Sequence, residues 1–153
     1  MDSQRVSDEL EIAALLSAYA RAVDTKDWQL YRSVFTDDAH IDYSADVFKG
    51  SLNGAIEFFA RDFSALVTMS MHYITNIESD IDGDTARVRA MFYNPTLIQG
   101  VADLCVFGGY YHHELVRTAQ GWRSRELVEE LVWRRGVPES TTVRAARRGP
   151  APG

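Results

Sequence analysis

Residues 71–93 read MHYITNIESDIDGDTARVRAMFY, and the reading of this stretch decides the fold. Asp82-Gly83-Asp84 carries a strong short-range signal for a hairpin turn. Beyond it Ala86, Val88, Ala90 and Phe92 alternate with Arg87, Arg89 and Met91. That period of two belongs to a strand with one buried face. Residues 71–78 read as its antiparallel partner, with His72, Ile74 and Asn76 on one face. Asn94-Pro95 ends the hairpin, because proline cannot donate to a ladder.

Toward the C-terminus, residues 102–118 form a long strand with a flexible start at Gly108-Gly109. Ala119-Gln120-Gly121 turns the chain into a last strand over 122–133. Toward the N-terminus the period changes. Leu10, Ala13, Leu16, Ala20 and Val23 predict a helix over 8–23, capped by Ser7 or Asp8. A short helix follows over 28–35, with Asp27 placed to cap it, and Asp37-Asp38 breaks it. Residues 39–44 alternate as a short strand. Ser51-Leu52-Asn53-Gly54 opens a third helix over 54–66, with Ile56, Phe59, Phe63 and Leu66 inward. Helices first and an antiparallel meander after them make an α+β pattern.

The chain has 153 residues, 46% of them hydrophobic, enough for one domain with a real core. We read 1–135 as that domain and 136–153, rich in Pro, Gly, Ser and Arg, as a mobile tail. A net charge of −6 argues against a nucleic-acid partner. No apolar run reaches the length of a membrane span, and the polar N-terminus is no signal peptide. The single Cys105 excludes an internal disulfide and fits the cytoplasm; on an apolar strand it reads as packing.

Two segments carry the chemistry. Asp24 ends the first helix, where a carboxylate opposes the helix dipole and needs a partner. His72 sits 48 residues later on the strand side. Brought into one apolar cavity, the two make a general base: the carboxylate fixes the tautomer and steadies the imidazolium. Without that meeting, His72 is a core histidine bonded to a backbone carbonyl and Asp24 a surface turn residue. Asn94 falls in phase with the buried Phe92, so its amide needs partners, either a ligand or the neighbouring strand. A zinc site from Asp24, His72 and His113 has no supporting spacing, and no Gly-rich phosphate loop follows a strand. The reading calls for no metal and no cofactor.

Asp24-Thr25-Lys26-Asp27-Trp28 followed by Ile41-Asp42-Tyr43 resembles the dehydratase segments of the SnoaL-like group in the nuclear transport factor 2-like superfamily. His72-Tyr73-x-Thr75-Asn76, and Gly108-Gly109-x-Tyr111 with Gly121-Trp122, resemble the strands of that group's hexachlorocyclohexane dehydrochlorinases. The resemblance spans residues 8–133 and also takes in scytalone dehydratases and bile-acid dehydratases. It implies a cone-shaped, mostly antiparallel sheet wrapped around three N-terminal helices, an α+β barrel. It implies a catalytic set of Asp24, His72, Tyr19 and Tyr43, with the tyrosines polarising the substrate or assisting a leaving group. A bile-acid dehydratase tyrosine matches Tyr19, where the dehydrochlorinase has lysine. Where scytalone dehydratase has a second histidine, this chain offers Asn94 or Thr96. Alignment with the dehydrochlorinase turns Tyr111 and His113 inward; alignment with scytalone dehydratase would turn Tyr110 and His112 inward instead.

The expected pocket lining is Phe58 or Phe59, Phe63, Leu66, Met69, Val88, Phe92, Asn94, Tyr111, His113 and Leu127. Such a lining suits a hydrophobic, cyclic small molecule. The expected function is a cofactor-independent lyase of dehydratase type. An isomerase or polyketide-type cyclase, or a hydrophobic-ligand binder without turnover, would use the same pocket. Large residues on the sheet's outer face, with the resemblance, lead us to expect a homo-oligomer, a trimer favoured over a dimer.

Overall fold

A computed structural model describes residues 2–45 and 48–138; the expected tail beyond 138 lies outside them. Helix α1 runs Ser3–Thr25, α2 Trp28–Val34 and α3 Leu52–Phe58, which continues through a π-helical turn Phe59–Phe63 into the short α4 Ser64–Leu66. The strands are β1 Phe35–Tyr43, β2 Phe48–Ser51, β3 Val67–Ser70, β4 Tyr73–Asp82, β5 Thr85–Ile98, β6 Cys105–Thr118 and β7 Gly121–Arg135. They form one curved, unclosed sheet in the order β2-β1-β7-β6-β5-β3, with β4 also on β5. The sheet is mixed, because β1 runs parallel to β7. No helix among the described residues is long and apolar enough to cross a membrane.

Helix α1 begins earlier than its apolar period predicts. Asp2 caps it by accepting the Arg5 N–H at 2.7 Å. Asp8 is therefore no cap: it lies buried inside the helix, and Leu10, expected on the buried stripe, is 68% exposed. The face that packs against the sheet carries Ile12, Leu15, Leu16, Tyr19, Ala22 and Val23 instead. Asp8 receives a two-pronged Arg117 guanidinium at 2.8 and 3.0 Å and the Trp122 indole N–H at 3.1 Å. Arg117 also reaches Asp84 at 2.9 Å, so one guanidinium ties α1 to both hairpin ends.

Asp27 caps α2 by accepting the Leu30 N–H at 2.9 Å. Asp37 and Asp38 do not end a helix; they lie within β1, both exposed. The strand expected over 71–78 begins only at Tyr73, as the start of β4, and a separate strand β3 ends just before it at Ser70. Both β3 and β4 pair with β5, and the chain breaks between them at Met71 and His72. Asn76 adopts a left-handed φ of 49° beside a bulge in β4 and is exposed, so it does not share His72's surroundings. A Cβ on Gly109 would collide with the Glu130 carbonyl oxygen, and one on Gly108 with the Trp133 ring. These glycines therefore permit close approach of β7 at a register shift.

Candidate active site

The break between β3 and β4 places the site. His72 leaves the ladder there, so its backbone N–H is not spent on β5. It donates instead to Asp24 Oδ2 at 2.8 Å. Asp24 Oδ1 lies 2.6 Å from His72 Nδ1 and receives Ser70 Oγ–H at 2.9 Å. Three donors thus answer a carboxylate that α1 presents near its C-terminal end. Burial would raise the Asp24 pKa, but the hydrogen bonds and charge of His72, with Ser70, hold it below the usual carboxylate range. An ionised Asp24 fixes the proton of His72 on Nδ1. The His72 side chain is only 5% exposed and lines the cavity, so Nε2 is the basic nitrogen available to a ligand.

Lys26 braces the other side. It caps α1 in a left-handed conformation with φ 56°, and its Nζ donates to the Ser64 and Val67 carbonyls at 3.2 and 2.8 Å. This ties the Asp24 turn to the end of the segment that carries Phe59, Phe63 and Leu66. The π-helical turn adds a residue to that segment, a local irregularity that recurs at functional sites. Trp28 stacks on Phe59 at 5.3 Å and closes the layer behind it.

The cavity measures about 190 Å³. A cavity of roughly 150 Å³ with an apolar lining accepts benzene, so this one suits a single ring with substituents. Of the expected residues, Tyr19, Tyr43, Phe58, Phe59, Phe63, Leu66, His72, Phe92, Asn94 and Tyr111 line it. Asp24 stands behind His72. Met69, Val88, His113 and Leu127 lie outside the lining; Val88 and Leu127 are buried in the core. His113 does point inward, but beneath Tyr19, ring to ring at 6.1 Å. Its Nδ1 bonds Ser124 Oγ at 2.9 Å, and burial pushes its pKa down to about 3.

Tyr43 joins two other phenols, at 2.6 Å to Tyr19 and 2.9 Å to Tyr31. Burial pushes all three upward, so each keeps its proton and remains a donor. Sequence reasoning missed Glu129 and Arg134 in the lining and Ser70 beside Asn94; Thr96, weighed there as an alternative to Asn94, lines the cavity with it. Glu129 alternates with Leu127 and Leu131, but Glu130 beside it gave the opposite face an equal claim. Ser70 had a usable signal: it sits two residues before His72. Among the described residues no three His, Cys, Asp or Glu side chains stand close enough to hold a metal ion.

The SnoaL-like domain model matches residues 4–128. The uncharacterized protein Rv2910c of Mycobacterium tuberculosis is 34% identical over 128 residues, covering 81% of this chain and 85% of that protein. A crystal structure of a candidate aromatic ring hydroxylase from Novosphingobium aromaticivorans is 32% identical, with TM-score 0.74, covering 84% of this chain and 91% of that one. A candidate scytalone dehydratase from the same organism superposes with TM-score 0.81 at 13% identity, over 90% and 93% of the two chains. A hexachlorocyclohexane dehydrochlorinase, LinA type 2, superposes with TM-score 0.79 at 18% identity, over 91% and 95%. At those last identities the likeness speaks for the fold alone.

Proposed function

The chain belongs to the SnoaL-like domain family, and from that premise we propose that it is a cofactor-independent lyase of dehydratase type. Its substrate is a hydrophobic cyclic small molecule. The observation that carries this reading is the 2.6 Å contact between His72 Nδ1 and Asp24, which leaves Nε2 to act as a base in an apolar cavity.

His72 Nε2 takes a proton from a carbon made acidic by an adjacent carbonyl or ring. The electron pair left on that carbon forms the new double bond as the neighbouring C–O bond breaks. The departing hydroxide takes a proton from the Tyr19 or Tyr43 phenol and leaves as water. The imidazolium's proton returns through the same hydroxyls to restore the tyrosine. Asp24 stays ionised and holds the imidazolium in place. General-base help of this kind contributes about 10²–10⁴-fold. The dehydratase and dehydrochlorinase names of two structural neighbours accord with elimination, and the hydroxylase name of a third with an aromatic-like substrate.

The test is a panel of one- and two-ring β-hydroxy ketones, followed by absorbance of the conjugated enone. Elimination by the wild-type protein, abolished in His72→Ala and untouched by chelators, is the expected result. If no compound reacts faster with the wild type than with His72→Ala, the lyase reading fails. We further propose that the chain acts as a homo-oligomer, a trimer before a dimer, through the apolar end of the sheet's outer face.

A further inference from the structure

Asn94 lines the cavity, and one terminal atom of its side chain is enclosed by two hydroxyls, Ser70 Oγ and Thr96 Oγ1, each 3.2 Å away. The protons in this group can be counted. Ser70 owns one hydroxyl proton. Asp24, held ionised, can only accept, so its 2.9 Å contact with Ser70 uses that proton. The proton on His72 Nδ1 is spent on Asp24 at 2.6 Å. With the Asn94 carbonyl oxygen facing Ser70 Oγ, no proton remains to place between them, and two sets of lone pairs meet in a half-buried site. The Thr96 proton has its own acceptor in the Asn94 backbone carbonyl at 3.4 Å. An amino group at the same point supplies two protons, one for each hydroxyl oxygen. A half-turn about the last side-chain bond exchanges the two ends and moves nothing else.

We propose that Asn94 turns its amino group to Ser70 and Thr96 and its carbonyl oxygen into the cavity, so that the site takes a ligand that donates a hydrogen bond there, a hydroxylated ring compound. The inference rests on reading the cavity as a site for small cyclic molecules. Glu129, in the same lining, adds an acidic side chain to that wall; burial chiefly raises the pKa of Tyr19 and Tyr31, and Glu129 adds to the rise.

Fluorine NMR titration with 4-fluorophenol, 4-fluoroanisole and 4-fluoroacetophenone tests this without any turnover. The phenol should bind about tenfold tighter than the anisole, as for one good hydrogen bond. In Asn94→Leu that ratio should fall to about one, and anisole binding that persists, at whatever strength, shows the cavity still folded. Asn94→Ala repeats the measurement should leucine crowd the cavity. A phenol preference that survives both substitutions overturns the proposal, because the hydroxyl is then received elsewhere. A wild-type preference for the acetophenone that Asn94→Leu abolishes also overturns it, because the amino group then faces the ligand. If none of the three probes binds, the reading of the cavity itself falls, and this inference with it.

Discussion

Asp24 holds His72 at two points, its Oδ1 2.6 Å from the ring Nδ1 and its Oδ2 accepting the backbone N–H at 2.8 Å. The second bond is available only because the strand breaks at His72. One carboxylate therefore fixes both where the ring stands and which of its nitrogens is basic. Asp24→Asn keeps an acceptor for the backbone but sets an amino group against Nδ1, which favours the wrong tautomer. Activity should fall by roughly 10²–10⁴-fold, and by at least as much in His72→Ala. The double variant should be little worse than His72→Ala, since the pair acts as a unit. Additive losses in kcat/KM would show two separate roles.

Acid should destabilise the protein in two distinguishable windows. His113 is neutral when folded, with its pKa lowered by burial from the ordinary 6.5 to about 3. The unfolded chain therefore binds the extra proton first as pH falls. The stability this group contributes is complete above 6.5 and is lost progressively down to about 3. The loss is on the order of 5 kcal/mol at most. Asp8 is held below the usual carboxylate range, chiefly by the Arg117 hydrogen bonds. Its contribution is complete above the ordinary carboxylate pKa of 3.8 and is lost only as pH falls beyond that. Melting temperature against pH should thus decline first between 6.5 and 4 in the wild type, and much less there in His113→Leu. Arg117→Met should lower the melting temperature at neutral pH and flatten the steeper limb below 4. Equal slopes in wild type and His113→Leu would count against a buried neutral histidine.

The hairpin at Asp82-Gly83-Asp84 and the alternation that follows it were plain in the sequence, because one buried face imposes a strict period of two. The helix–strand order and the α+β class followed from it. Other features depend on tertiary partners that no local pattern encodes. Asp8 looked like a cap because its partners, Arg117 and Trp122, are more than 100 positions away. Residues 71–78 looked like one strand because the break at His72 is stabilised by Asp24, not by a turn residue. At the site, the Asp24–His72 pairing was legible through the flanking motifs. The placement of His113 beneath Tyr19, and of Glu129 in the lining, depended on bulges and register shifts in β6 and β7 that alternate apolar and charged residues conceal.

Gly109 offers a sharp backbone test. It pairs with Leu131 beside the register shift, and a Cβ there would meet the Glu130 backbone carbonyl, which cannot move aside as a side chain can. Gly109→Ala should therefore leave little soluble folded protein, whereas Gly83→Ala, in an open turn with φ 58°, should cost only about 1 kcal/mol. Thermal unfolding of the two variants side by side checks this. A Gly109→Ala protein as stable as Gly83→Ala would mean that β7 can shift away.

The outer face of the sheet divides into two regions. At one end charges answer each other within the chain: Arg89 meets Glu78 at 3.4 Å and stacks on Tyr110 at 4.0 Å, and Arg125 meets Glu114 at 3.1 Å. Glu114 thus has an ion-pair partner within its own chain. At the other end the aromatic row Tyr73, Tyr93 and Trp133 is exposed, with ring separations of 6.0 and 6.1 Å, and Met91, Leu104 and Val132 are exposed beside it. A monomer leaving this row in water would expose an apolar patch of the kind that usually marks an interface. Light scattering at micromolar concentration should therefore return a multiple of the 17.2 kDa chain mass, threefold before twofold. Tyr93→Glu places a charge in the middle of the row without touching the cavity, so it should shift the population toward monomer while 4-fluoroanisole still binds. A wild-type protein of single-chain mass would remove the assembly proposal. A Tyr93→Glu monomer that no longer binds the probe would show that the cavity depends on assembly.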